Sequence, residues 1–144
     1  MSTEETTRQL VIFSLGCEEY ALPITRVQEI IRYTEPRSVA SQTTWIRGVI
    51  NLRGKIVPVC DLAERLGLAH ERPEAAKIVI VETAVGTAGV IVDDVAEVLT
   101  VSAEQLENVP TAESAYVEAV AKVGERLAIL LNPDGLFAGV QIAA

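Results

Sequence analysis

The chain has 144 residues, 49% apolar and only 4% aromatic, so it can fill one aliphatic core or two small packed ones and is too apolar for wholesale disorder. Its formal net charge is −8, and the excess lies late: residues 1–72 hold nine acids and nine bases, residues 73–144 eleven acids and three bases. That balance disfavours phosphate-rich partners, and no run reaches the ~18 apolar residues of a membrane span.

Residues 1–8 form a polar tail without the apolar core of a signal peptide, which predicts a cytoplasmic chain. Short apolar runs between turn residues follow, the pattern of an all-β sandwich or barrel. Leu10–Leu15 and Glu19–Leu22 read as a hairpin about Gly16-Cys17-Glu18. Ile24, Val27, Ile30 and Ile31 have helical spacing behind Pro23, which predicts a short helix over 24–31. Trp45–Leu52 and Lys55–Cys60 read as strands joined by a tight Arg53-Gly54 turn, with Pro58 marking an edge or a bulge. Asp61 is placed to cap a helix over Leu62–Leu66 that Gly67 ends, and 69–76 is a polar connection. Lys77–Thr83 and Ala88–Val92 read as strands about a turn at 84–87, and Glu97–Val101 as another strand. Ser102 suits the N-cap of one helical turn, and Pro110–Ser114 is a loop. Val117–Val123 and Arg126–Leu131 form a hairpin through Gly124-Glu125, and a short helix starts at Pro133.

The halves repeat one pattern. Leu22–Ile31 aligns with Val90–Leu99 at an offset of 68, matching Val27 to Val95 and Glu29 to Glu97. Trp45–Ile50 aligns with Tyr116–Ala121 at an offset of 71. The expectation is a tail over 1–8 and one domain over 9–144. Two similar β subdomains build it, about 9–72 and 73–144, with exchange of strands between them allowed. Each half is near the lower limit for a stable core, so the two should fold as one unit.

Catalytic constellations are missing. The single histidine, His70, lies in a polar stretch, and Cys17 and Cys60 lack metal-site spacing and read as reduced thiols. Gly86-Thr-Ala-Gly89 has no following Lys, and Asp93-Asp94 has no evident third ligand for a cation. Scarce aromatics and the acidic second half argue against nucleic-acid binding. The expectation is no enzyme, no cofactor and no metal. Arg26, Arg32, Arg37, Arg47, Arg53 and Lys55 give the first half either a basic patch for an acidic partner or a set of solvated charges.

Four segments, in order, resemble the CheW-like domain family. They are Phe13–Ile24, Val27–Ile30, Trp45–Leu62 (with Gly-Val-Ile-Asn-Leu-Arg-Gly at its centre) and Gly89–Val98, and the resemblance spans about residues 8–137. It implies two packed, five-stranded, SH3-like barrels, all-β with short helices. It also implies a non-catalytic adaptor between the regulatory domain of a CheA-type histidine kinase and chemoreceptor cytoplasmic tips, without direct membrane insertion. The absence of kinase and receiver segments favours the stand-alone adaptor, and a parallel chemosensory pathway outside flagellar control is the alternative. Positions matching the family's partner surfaces are Val27, Glu29, Gly48, Asn51 and Arg53, with Arg53 a polar anchor and Val27 a hydrophobic contact. The same residues also admit plain readings: Asn51 and Arg53 as turn formers, Val27 as helix core, Glu29 as a solvated charge. Leu15, Ile50, Val57, Ile80 and Ile129 are assigned to the core. Thr43-Thr44, Ala119 and Cys60 depart from the residues usual at those places.

Overall fold

Apolar runs without polar alternation, such as Leu10–Phe13, Ile78–Val81 and Gly89–Val92, need cover on both faces. A computed structural model, which describes residues 7–38, 44–68, 71–84, 86–108 and 116–138, supplies that cover. The strands are β1 (Thr7–Leu15), β2 (Glu18–Pro23), β3 (Val27–Arg32), β4 (Ile46–Leu52), β5 (Lys55–Asp61), β6 (Lys77–Thr83), β7 (Gly86–Val92), β8 (Asp94–Ser102), β9 (Leu106–Glu107), β10 (Val117–Val123) and β11 (Arg126–Leu131). Two short helices, α1 (Leu62–Arg65) and α2 (Pro133–Leu136), follow β5 and β11. Single 3-10 turns at Ile24–Arg26 and Ala103–Gln105 complete the elements.

The strands form two sheets, ordered β8-β1-β2-β11-β10-β9 and β3-β6-β7-β5-β4. All pairs are antiparallel except β5 with β7 and β11 with β2. These are the two small barrels of the SH3-like plan. Their boundary does not fall at residue 72. The five-stranded barrel is continuous, β3 to β7, and the six-stranded one joins β1 and β2 to β8–β11. Each sheet therefore draws on both halves of the sequence.

Alternate residues of the central strands feed different cores. Leu10, Ile12, Ala21 and Leu130 fill the six-stranded barrel. Ile50, Val57, Val59, Ile78 and Ile80 fill the five-stranded one. Phe13, Leu22, Val79, Val81, Val90 and Phe137 point the other way and meet in a cluster between the barrels. Gly89 lines the five-stranded interior, where an added Cβ would press within 2.8 Å of Ile78. Ile129, expected in the core, is only half-buried against the shared cluster.

The repeat is visible in detail. Asp61 N–H donates to the Trp45 carbonyl at 2.7 Å, and Asn132 N–H donates to the Tyr116 carbonyl at 2.7 Å. Asp61 and Asn132 then cap α1 and α2 through their side chains. Bulges disturb β4 between Ile46 and Gly48 and β10 between Val117 and Ala119, at matching places.

Two expectations need correction. Residues 24–31 are not a helix: one 3-10 turn leads into β3, whose burial alternates. Pro58 is not on an edge, because β5 lies between β7 and β4. A bulge, the other reading, does lie in β4 beside the pair of Pro58 with Val49, so only the edge half of the reading fails. Pro58 is tolerated because Val49 opposite it exchanges its backbone bonds with Arg37, at 2.8 and 2.9 Å, and pairing with β7 begins one residue later, at Val59. Smaller differences are that β7 starts earlier, at Gly86, and that β8 reaches back to Asp94. The Pro110–Ser114 loop, Thr43 and His70 lie outside the described residues.

Candidate functional site

The β4–β5 hairpin is built by its turn residues. Arg53 and Gly54 both have positive φ, 53° and 87°, as a two-residue turn matching strand twist requires. Asn51 Oδ1 accepts the Gly54 N–H at 2.8 Å and locks the turn. The turn lifts Arg53 to the mouth of the five-stranded barrel, where its guanidinium forks onto the Glu29 carboxylate of β3. That contact joins the hairpin to the far edge of the sheet. The hydrogen bonds from Arg53 hold the Glu29 carboxyl below its ordinary range. The Arg53 side chain remains 70% exposed and that of Glu29 30%.

A row of polar side chains crosses four neighbouring strands beside this pair. Gln28 Nε2 donates to Glu82 Oε2 at 2.6 Å, Thr87 Oγ1 donates to Glu82 Oε1 at 3.2 Å, and Lys55 Nζ donates to Thr87 Oγ1 at 2.8 Å. They seal one end of the barrel with satisfied polar groups. Beyond the hairpin, Thr34, Glu35, Arg37, Val49, Asn51 and Ile56 line an open cleft of about 440 Å³, and Ile56 is 58% exposed.

The structure brings Glu29, Asn51 and Arg53 together. It does not bring Val27 and Gly48 into that cluster. Val27 begins β3 and is half-buried against the apolar cluster between the barrels. Gly48 is buried in β4 with φ 149°, and an added Cβ would run into the Arg37 carbonyl. Much of the expected basic patch is internally neutralised: Arg26 pairs with Asp134, Arg47 with Asp61 and Glu64, and Arg53 with Glu29. Sequence reading missed the row of Gln28, Glu82, Thr87 and Lys55, whose members are far apart in the chain and carry no local signal.

Residues weighed for catalysis have other uses. Asp93 Oδ2 accepts the Gly16 N–H at 2.8 Å, and Asp94 lies 3.6 Å from Lys77 Nζ. The Gly86–Gly89 stretch is part of β7 and not a phosphate loop. Cys60 is buried, which pushes its thiol pKa up, and Cys17 is exposed. Among the described residues no helix is long and apolar enough to cross a membrane.

Comparison with known proteins follows the same lines as the fold. The family model of the CheW-like domain matches residues 9–141. The chain is 32% identical over 150 residues to the chemotaxis protein CheW of Klebsiella aerogenes, covering 99% of this chain and 89% of that one. The crystal structure of the scaffolding protein TtCheW from Thermoanaerobacter tengcongensis superposes with a TM-score of 0.86 at 35% identity, over 92% of this chain and 94% of that one. Protein PilI of Pseudomonas aeruginosa is 32% identical over 85 residues, 58% of this chain and 47% of that one.

Proposed function

The chain belongs to the CheW-like domain family, and from that membership we propose that it is a non-catalytic adaptor coupling a CheA-type histidine kinase to chemoreceptor cytoplasmic tips. The observation that carries this reading is the family match over residues 9–141, which takes in both barrels and the Asn51–Gly54 hairpin. Arg53 is the polar anchor. Its planar fork suits a partner carboxylate, and Glu29 holds it in place until one arrives. Val27 supplies a hydrophobic contact where the barrels meet, while Asn51 and Gly48 fix the backbone that presents Arg53. Each barrel also exposes an apolar pair at matching positions, Ile30 with Ile56 and Val98 with Leu127. One pair for each barrel suits a protein that touches two neighbours at once. The adaptor works in the cytoplasm, without cofactor or metal, and reaches the membrane only through receptors. It acts by position: it holds the kinase in register so that receptor rearrangement changes the contacts made in each state.

Kinase output in a reconstituted mixture of kinase and receptor tests this. Receptor control is expected only when the protein is present, and Arg53→Glu is expected to weaken it in a folded protein. Arg53→Gly is the cleaner deletion, because glycine accepts the positive φ without strain. A wild-type protein that binds neither partner and leaves kinase output unchanged would sink the reading. The similarity to a relative whose name does not mention chemotaxis favours a second reading, an adaptor of a parallel chemosensory pathway outside flagellar control. Control of a non-flagellar kinase with no effect on the flagellar one would select it.

A further inference from the structure

We propose that Arg65 is the pivot that fixes the orientation of the two barrels, acting as a positioning residue on the axis relating them. Trp45 and Tyr116 occupy matching places ahead of β4 and β10, and the Arg65 guanidinium carbon lies 4.5 Å from one ring centroid and 4.7 Å from the other. One cation therefore contacts an aromatic from each repeat. Its Nε donates at 3.1 Å to the carbonyl of Leu136, the residue of α2 that matches Arg65 itself in α1. Phe137 meets the Trp45 ring edge-on from the same end of α2, with centroids 6.1 Å apart.

The apolar cluster between the barrels supplies adhesion, but apolar burial is non-directional. A planar guanidinium with one bonded carbonyl and two ring faces is directional. The other described polar tie between α2 and the five-stranded barrel lies off this point. There Asp134 accepts from Arg26 and, at 2.7 Å, from the Ala84 N–H. Loss of the central contact leaves each barrel's own sheet and interior untouched and releases the angle between them.

The barrels are one chain, so the angle is measured without kinase or receptor. Cys17 is exposed on the six-stranded barrel, and Arg32→Cys adds a thiol on exposed β3 of the other, while Cys60 is fully buried and stays unlabelled. Nitroxide labels at these two positions give an interbarrel distance by pulsed electron resonance. The parent should show one narrow distribution. Arg65→Met, which keeps an apolar stem and removes the fork, should broaden or shift it with far-ultraviolet dichroism retained. Arg65→Lys, which keeps the charge and loses the plane, should give a smaller broadening. A lowered melting temperature with an unchanged distribution means a merely structural contact and overturns the proposal. If Arg65→Met does not fold, Arg65→Lys carries the test. If neither folds, Arg65 determines folding and not orientation, and the proposal fails.

Discussion

Arg53 occupies a backbone conformation that L side chains avoid, and it still carries the longest polar reach of the hairpin. Closure explains the placement. The opposite edge strand offers Glu29, and the Arg53 side chain leaving the turn reaches it. The other barrel uses the same device, with Glu97 2.8 Å from Arg126 at the matching hairpin. The repeat is legible here: Glu29 and Glu97 align, although Arg53 stands in its turn and Arg126 begins the returning strand. Exposed pairs of this kind contribute little to stability, so their value lies in placing charge. The hydrogen bond from Arg53 lowers the Glu29 pKa, so any stabilisation it brings is present above the ordinary glutamate range and is lost as pH falls through the lowered value. Carboxyl NMR should find Glu29 titrating below the usual range of about 4.3. In Arg53→Gly it should return to that range. A Glu29 that titrates normally in the parent would remove the pair from solution.

The strand that carries Glu29 is also where sequence reading failed. In β3 the half-buried positions are Val27, Glu29 and Ile31, and the exposed ones are Gln28, Ile30 and Arg32. A carboxylate sits on the sheltered face because Arg53 meets it, and an isoleucine faces out. That exchange erases the period of two and leaves Ile24, Val27, Ile30 and Ile31 at helical spacing. Rules of pattern tend to break at sites with another use. The β4–β5 hairpin was legible because its turn residues act locally, as were the cap at Asp61 and the helix start at Pro133, whereas the matching cap at Asn132 was seen only in the structure. Gly48 shows the limit of a local reading. It matched a partner-surface position, yet it is buried where β4 meets the segment carrying Arg37. Gly48→Ala should lower stability by about 2 kcal/mol or more, from strain at positive φ and from the clash. Urea unfolding would show it as a lower midpoint at unchanged slope. A variant of full stability would mean that the two segments separate freely, and the position would return to the partner surface.

Across the whole molecule, charge follows the sheets more closely than the halves. Residues 24–92, the five-stranded barrel with its connections, hold nine bases and seven acids; the rest of the chain holds three and thirteen. The repeat itself was legible, because its two matches keep nearly constant offsets. The path of the chain was not, because strand partners far apart in sequence leave no local mark. Since the cluster between the barrels draws on both sheets, the protein should unfold in one transition. Far-ultraviolet dichroism and the emission of Trp45, the sole tryptophan, should then trace coincident curves. Two separated transitions would mean that each barrel stands alone. The interleaved path also sets a schedule for synthesis. The β1–β2 hairpin is made first, yet its neighbours β8 and β11 are made only after all five strands of the other barrel. On a ribosome adding about 5–20 residues per second, Pro23 waits on the order of 5–20 s for Leu131. All strands of the other barrel emerge within that wait, while the hairpin keeps two open edges within reach of neighbouring nascent chains. The interval of greatest exposure to misassembly therefore belongs to the oldest strands in the chain.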